Sequence, residues 1–156
     1  MRHPSLIALS HDHHHGLALA LRCRKQALGQ LKPMGVKGLI ERAGEFREFF
    51  ANNLIAHFRA EEEALFPHMR ALAPASAPII EQLIEDHQQF RAALPQLVDE
   101  AGLAKLLFDL GDLLERHIRK EERELFPLFE RHIGDAAAEA VGAEIKKLLE
   151  ARPVSP

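Results

Sequence analysis

Apolar residues recur along this chain at threefold and fourfold spacing almost from end to end, and no stretch alternates apolar with polar positions as a half-buried strand does. The pattern predicts an all-α protein. A first helix is expected from about Ser5 to about Leu31, with Pro4 at its entrance and Pro33 to Gly35 as its exit. A second starts near Val36 and carries Leu39, Ala43, Phe46, Phe50, Leu54, His57, Glu61 and Leu65 on one stripe, and Pro67 is expected to bend or end it. After a proline-punctuated connection, Leu72 to Pro78, a third helix presents Ile80, Leu83, His87, Phe90, Leu94 and Leu97, interrupted by Pro95. Beyond a break at Gly102 the fourth aligns Leu103, Leu106, Leu110, Leu114, His117, Glu121 and Leu125, with Pro127 standing where Pro67 stood. A short amphipathic segment, Ala137 to Leu149, predicts a fifth helix packed across the others, and the tail ARPVSP is expected to fray.

Four long helices joined by short loops favour antiparallel neighbours, hence an up-down-up-down four-helix bundle with a short fifth C-terminal helix. The core bundle would span about residues 5–131 of a single domain covering 1–156. A chain of this size buries roughly two-thirds of the surface its unfolded form exposes, enough to fold alone.

Composition narrows the function without naming it. The formal charge is −3 with acids and bases interspersed, which gives no field to attract nucleic acid and no basic face for lipid. No apolar run is long enough for a bilayer. A single cysteine, Cys23, excludes an internal disulfide framework, and the start MRHPSLIALS lacks a secretory pattern, so a cytoplasmic location is expected. Ten histidines, beside no Trp or Tyr, make metal binding the first chemistry to consider.

The histidines are organised. Residues 57–67 read HFRAEEEALFP and residues 117–127 read HIRKEERELFP, matching at seven of eleven places, and HDH at 11–13 echoes EDH at 85–87. The unit is a helix with an inward histidine followed by a helix with His-x-x-x-Glu, written twice. Residues four apart on a helix project together, so His57 with Glu61 and His117 with Glu121 share the apolar stripe and face the core. One core histidine alone is usually a hydrogen-bonded structural residue. Two buried glutamates among several imidazoles are not so simply accommodated, because desolvating each carboxylate costs several kcal/mol. Glu62, Glu63, Glu122 and Glu124 lie off the stripe and read as a solvated face. Imidazole and carboxylate from four helices of a bundle are the ligands of paired iron or manganese sites. Zinc needs fewer ligands, and the absence of cysteine from the set disfavours copper(I) and iron–sulfur clusters.

These segments, with EDHQQF and SHDHHHGL, resemble the hemerythrin-like family of HHE cation-binding four-helix bundles over about residues 5–131. The resemblance implies a non-haem di-iron centre of two Fe ions, with Mn or Zn as alternative occupants. It implies His57 and His117 on opposite metals, Glu61 and Glu121 bridging them, His87 as a further ligand and one helix-one histidine completing the set. His13 is preferred, because it follows Asp12 as His87 follows Asp86 and its stripe is free of charge, whereas the stripe of His14 includes Arg24. His11 and His15 read as solvent-side or as supports behind the ligands. The oxygen-carrying members offer two third-helix histidines one turn apart, but here the positions four residues either side of His87 are Leu83 and Arg91. Reversible oxygen carriage is therefore disfavoured, and fewer protein ligands suit sensing or scavenging of oxygen, peroxide or nitric oxide. A di-iron peroxidase or oxidase, and a helical interaction bundle with a structural metal, are the alternatives. The expected partner is a small diatomic ligand or peroxide, with no nucleic acid and no membrane.

Overall fold

The structure is a computed structural model that describes residues 1–152. Helix α1, Ile7–Ala27, follows one 3-10 turn at Pro4–Leu6, where the N–H that proline lacks would have had no partner. It stops about one turn short of the expected Leu31. Gly29 adopts a left-handed φ of 72°, and the N–H groups of Gly29 and Gln30 donate back to Gln26 and Lys25 at 3.1 and 2.9 Å, closing the helix before the proline loop.

Helix α2 is an unbroken succession of segments, Gly35–Phe49, Phe50–Leu54, Ile55–Ala60, Glu61–Leu65 and Phe66–Leu72. Pro67 does not end it. A proline's ring crowds the carbonyl four residues back, and the turn just before it, Glu61–Leu65, is widened into a π-turn in which the Phe66 N–H reaches the Glu61 carbonyl. Helix α3 is Ala77–Ala93, flanked by 3-10 turns at Pro74–Ser76 and Leu94–Val98 that absorb Pro74 and Pro95. Helix α4 repeats the α2 device: Leu103–Lys120, a π-turn at Glu121–Leu125 with Phe126 N–H on the Glu121 carbonyl, then Phe126–His132 past Pro127. Helix α5, Asp135–Glu150, begins two residues before the expected Ala137. The molecule is thus an all-α bundle, and no helix among the described residues is long and apolar enough to cross a membrane.

Small residues let α1 and α4 approach closely. A Cβ on Gly111 would stand 2.7 Å from the Ala20 carbonyl oxygen, and one on Gly16 would stand 2.7 Å from Ile118 Cδ1. Helix α5 packs on the Pro4–Leu6 turn and on α2 from Ile55 to Leu65.

The core is divided. One apolar cluster gathers Leu9, Leu65, Phe66, Leu83, Leu125 and Phe129 with Val141 and Ile145 of α5. The other gathers Leu19, Cys23, Phe46, Phe58, Phe90, Leu110 and Leu114. On each of the first four helices the chain passes from one cluster to the other through the buried polar residues Asp12 and His13, His57 and Glu61, His87, or His117 and Glu121. Phe46, Phe58, Phe66, Phe90, Phe126 and Phe129 are wholly buried, each contributing about 1.5–3 kcal/mol, which offsets several kcal/mol of desolvation per ion in that polar layer.

Candidate metal centre

The polar layer resolves into two groups of ligand atoms that share one residue. His13, His57, Glu61 and Glu121 each bring an atom within 4.8 Å of the others, and so do Glu61, His87 and His117. His13 and His57 face one another with ring centroids 5.0 Å apart, and His87 and His117 do the same at 5.0 Å. Glu61 lies between the pairs, with Oε2 3.4 Å from His57 Nε2 and Oε1 3.1 Å from His87 Nε2. Glu121 Oε1 stands 2.9 Å from His13 Nε2, 3.9 Å from His57 Nε2 and 3.6 Å from His117 Nε2. Glu61, Glu121 and His87 are 0% exposed.

Each imidazole turns its Nε2 inward because a carboxylate behind it takes its Nδ1–H. His57 Nδ1 donates to Asp12 at 3.0 Å, His117 Nδ1 to Asp86 at 2.9 Å, His13 Nδ1 to Glu122 at 2.6 Å and His87 Nδ1 to Glu62 at 2.5 Å. Such partners fix the tautomer and the ring orientation and raise the basicity of the inward nitrogen. Glu62 and Glu122 are therefore not the solvated face that helical periodicity assigns them, although Glu63 and Glu124 are exposed as expected. The π-turns begin at Glu61 and Glu121. A wider turn rotates successive residues by less than an α-helix does, which keeps the next glutamate close to the seam. The doubled Glu-Glu and the repeated Asp-His were the signals available in the sequence for these four acids.

Charges inside the layer balance one another. Burial pushes His57 toward neutrality, but the Glu61 carboxylate, the hydrogen bond to Asp12 and the nearby Glu121 carboxylate hold its pKa well above the usual histidine value. Burial likewise opposes protonation of His13 and His87, and their paired glutamates still raise both. Glu61 is held well below the ordinary carboxylate range, mainly by His57 acting against burial. Asp12, where burial is outweighed by His57 and Arg152, is lowered to about 2.

The balance is incomplete. Both oxygens of Glu61, Oε2 of Glu121, and Nε2 of His87 and of His117 are buried with no hydrogen-bond partner. Their lone pairs converge on shared points instead of aligning with one another, although His87 Nε2 and Glu61 Oε1 are only 3.1 Å apart. Buried polar atoms are rarely left so. Cations at the two ligand groups would give these atoms partners, so these residues are able to hold metal.

The other histidines lie elsewhere. His14, one residue beyond His13 and so turned by about 100°, is exposed and lines a surface pocket of about 440 Å³ with Ile7, Ser10 and Leu17. His11 and His15 are exposed with ring centroids 5.0 Å apart. The tail expected to fray is described as far as Arg152, whose guanidinium is seated on Asp12 at 3.0 and 3.1 Å, and residues 153–156 lie outside the described part.

Residues 5–148 match the family model described as Hemerythrin HHE cation binding domain, and the chain belongs to that family. No curated protein and no solved structure gave a match.

Proposed function

With a cation-binding family and a buried imidazole–carboxylate layer as premises, we propose that this chain is a non-haem di-iron protein that binds oxygen, nitric oxide or peroxide as a sensor or scavenger. The five orphaned lone-pair atoms carry the reading, because they leave the layer one charge-bearing component short. Two ligand groups joined by Glu61 favour two ions over one. In this reading His13 and His57 hold one position, His87 and His117 the other, and Glu61 and Glu121 span both. Oxygen and nitrogen donors without sulfur favour iron or manganese over softer metals. Bound iron supplies reversible one-electron chemistry and open coordination positions for a small ligand.

The chain's own residues set the remaining terms. Asp12, Asp86, Glu62 and Glu122 hold the four Nδ1–H groups so that each Nε2 lone pair stays inward. Complete burial of Glu61, His87 and Glu121 keeps bulk water from the layer, which favours a small ligand over a large one. The absence of Tyr and Trp leaves no aromatic relay for oxidising a substrate at a distance, which favours binding over turnover.

Anaerobic loading with ferrous iron, metal analysis, and optical spectra before and after oxygen or nitric oxide test the proposal. New absorption bands on ligand addition are expected with the wild type and not with Glu61→Ala. A loaded protein spectrally indifferent to all three ligands would contradict it, and steady catalytic loss of peroxide would move the protein to the enzyme class.

A further inference from the structure

Both ends of the described chain fasten onto the same side of the cluster. Arg2 donates to Glu122 Oε1 and to the Glu122 carbonyl, each at 3.0 Å. Glu122 Oε2 in turn accepts from Ser10 Oγ at 2.7 Å and from His13 Nδ1. At the other end Arg152, just past α5, lays both arms of its guanidinium on Asp12, whose Oδ2 also accepts from His57 Nδ1. Its Nε donates to the Leu149 carbonyl, tying the fork to the last turn of α5.

The opposite side has less support. Glu62, behind His87, accepts from Arg91, whose side chain is 46% exposed. Asp86, behind His117, has no arginine on it among the described residues. The Asp12 side chain is 5% exposed, and two parallel charge-assisted hydrogen bonds fix it in a way that one exposed pair does not.

We infer that Arg152 is a positioning residue for metal binding: it fixes the Asp12 carboxylate that orients His57, so that seating of the end of α5 and occupancy of the His13–His57 position are coupled. This rests on the two-position reading of the centre. Reciprocity follows from linkage: if seating Arg152 tightens that position, metal there holds the last turn of α5 in place. The His13–His57 position is then the slower of the two to release its ion.

The test uses the full chain loaded anaerobically with ferrous iron and challenged with a chelator, alongside Arg152→Ala and Arg152→Lys. Two release phases are expected for the wild type, and Arg152→Ala should speed the slower one about tenfold, at the lower end of effects seen for groups behind a metal ligand, leaving the faster unchanged. Arg152→Lys keeps the charge without the fork and should fall between. Amide exchange in the last turn of α5 should slow on metal loading of the wild type and not of Arg152→Ala. Unchanged release kinetics in Arg152→Ala, or equal acceleration of both phases, overturns the inference while leaving the metal centre standing. A wild type that takes up no iron overturns the centre as well.

Discussion

The two halves of the molecule carry the same device with different closures. Asp12, His13, His57, Glu61 and Glu62 correspond in order to Asp86, His87, His117, Glu121 and Glu122, and the aspartates act within their own half while Glu62 and Glu122 each reach across to the other half's histidine. That crossing interlocks the halves, so neither motif can place all its rings alone. The difference lies behind the rings, where Arg2 and Arg152 close the His13–His57 side and, among the described residues, Arg91 alone attends the His87–His117 side. A duplicated motif thus supplies ligands in pairs, and the chain's ends make the pairs unequal.

The strongest challenge to this picture removes the residue the halves share. Glu61→Ala should abolish nearly all metal binding, whereas His117→Ala should remove only one position, and metal analysis after loading separates them. Equal losses from Glu61→Ala and Glu62→Ala would show that the seam has been misplaced.

Proton competition gives the next effect. In the metal-free protein the raised pKa values of His13, His57 and His87 contribute stability that is full below about 6.5 and is lost as pH rises through the higher folded values. A metal must displace those protons, so the melting difference between loaded and metal-free protein should widen from pH 6 to pH 8. At a free metal concentration a thousandfold above Kd it should reach about 4 kcal/mol, on the order of 10 °C. A constant difference would point to a core of satisfied histidines.

Glu122→Ala and Glu62→Ala sharpen the contrast between the sides. Each should weaken metal binding by about 10–100-fold without changing the number of ions held at saturation, with Glu122 the costlier because Ser10 and Arg2 lose their acceptor too. Asp12→Asn probes acid stability of the metal-free protein. Asp12 titrates at about 2 instead of 3.8, so its contribution of about 2 kcal/mol is present above pH 4 and lost toward pH 2, and the variant's unfolding free energy should be flatter across that range. Helix one supplies a contrast with an effect close to zero in one arm: His13→Ala should lower metal content and His14→Ala should leave it unchanged, as titrations of the two variants will show.

The stripes, the bundle and the inward His-x-x-x-Glu pairs were legible in the sequence because Leu54 and Leu65 in one copy, and Leu114 and Leu125 in the other, flank each pair on the same helical stripe and mark the buried face. Glu62 and Glu122 were hidden for the same reason, since a period of 3.6 assigns them to solvent and nothing in composition announces a π-turn before a helical proline. Pro67 and Pro127 suggest a bend or an end from sequence because a proline's local cost is visible and the widened turn that carries the helix past it is not. Arg152 lay beyond reach in a tail with no periodicity, since its partner Asp12 stands 140 positions away.

If cations complete the polar layer, elemental analysis of untagged wild-type protein after anaerobic iron loading and removal of free metal reads them out without any spectral or kinetic assumption. It should show about two ions per chain, as expected of carboxylate-bridged sites in helical bundles. A protein that retains none, or holds one tightly bound zinc with iron in excess, would contradict the claim.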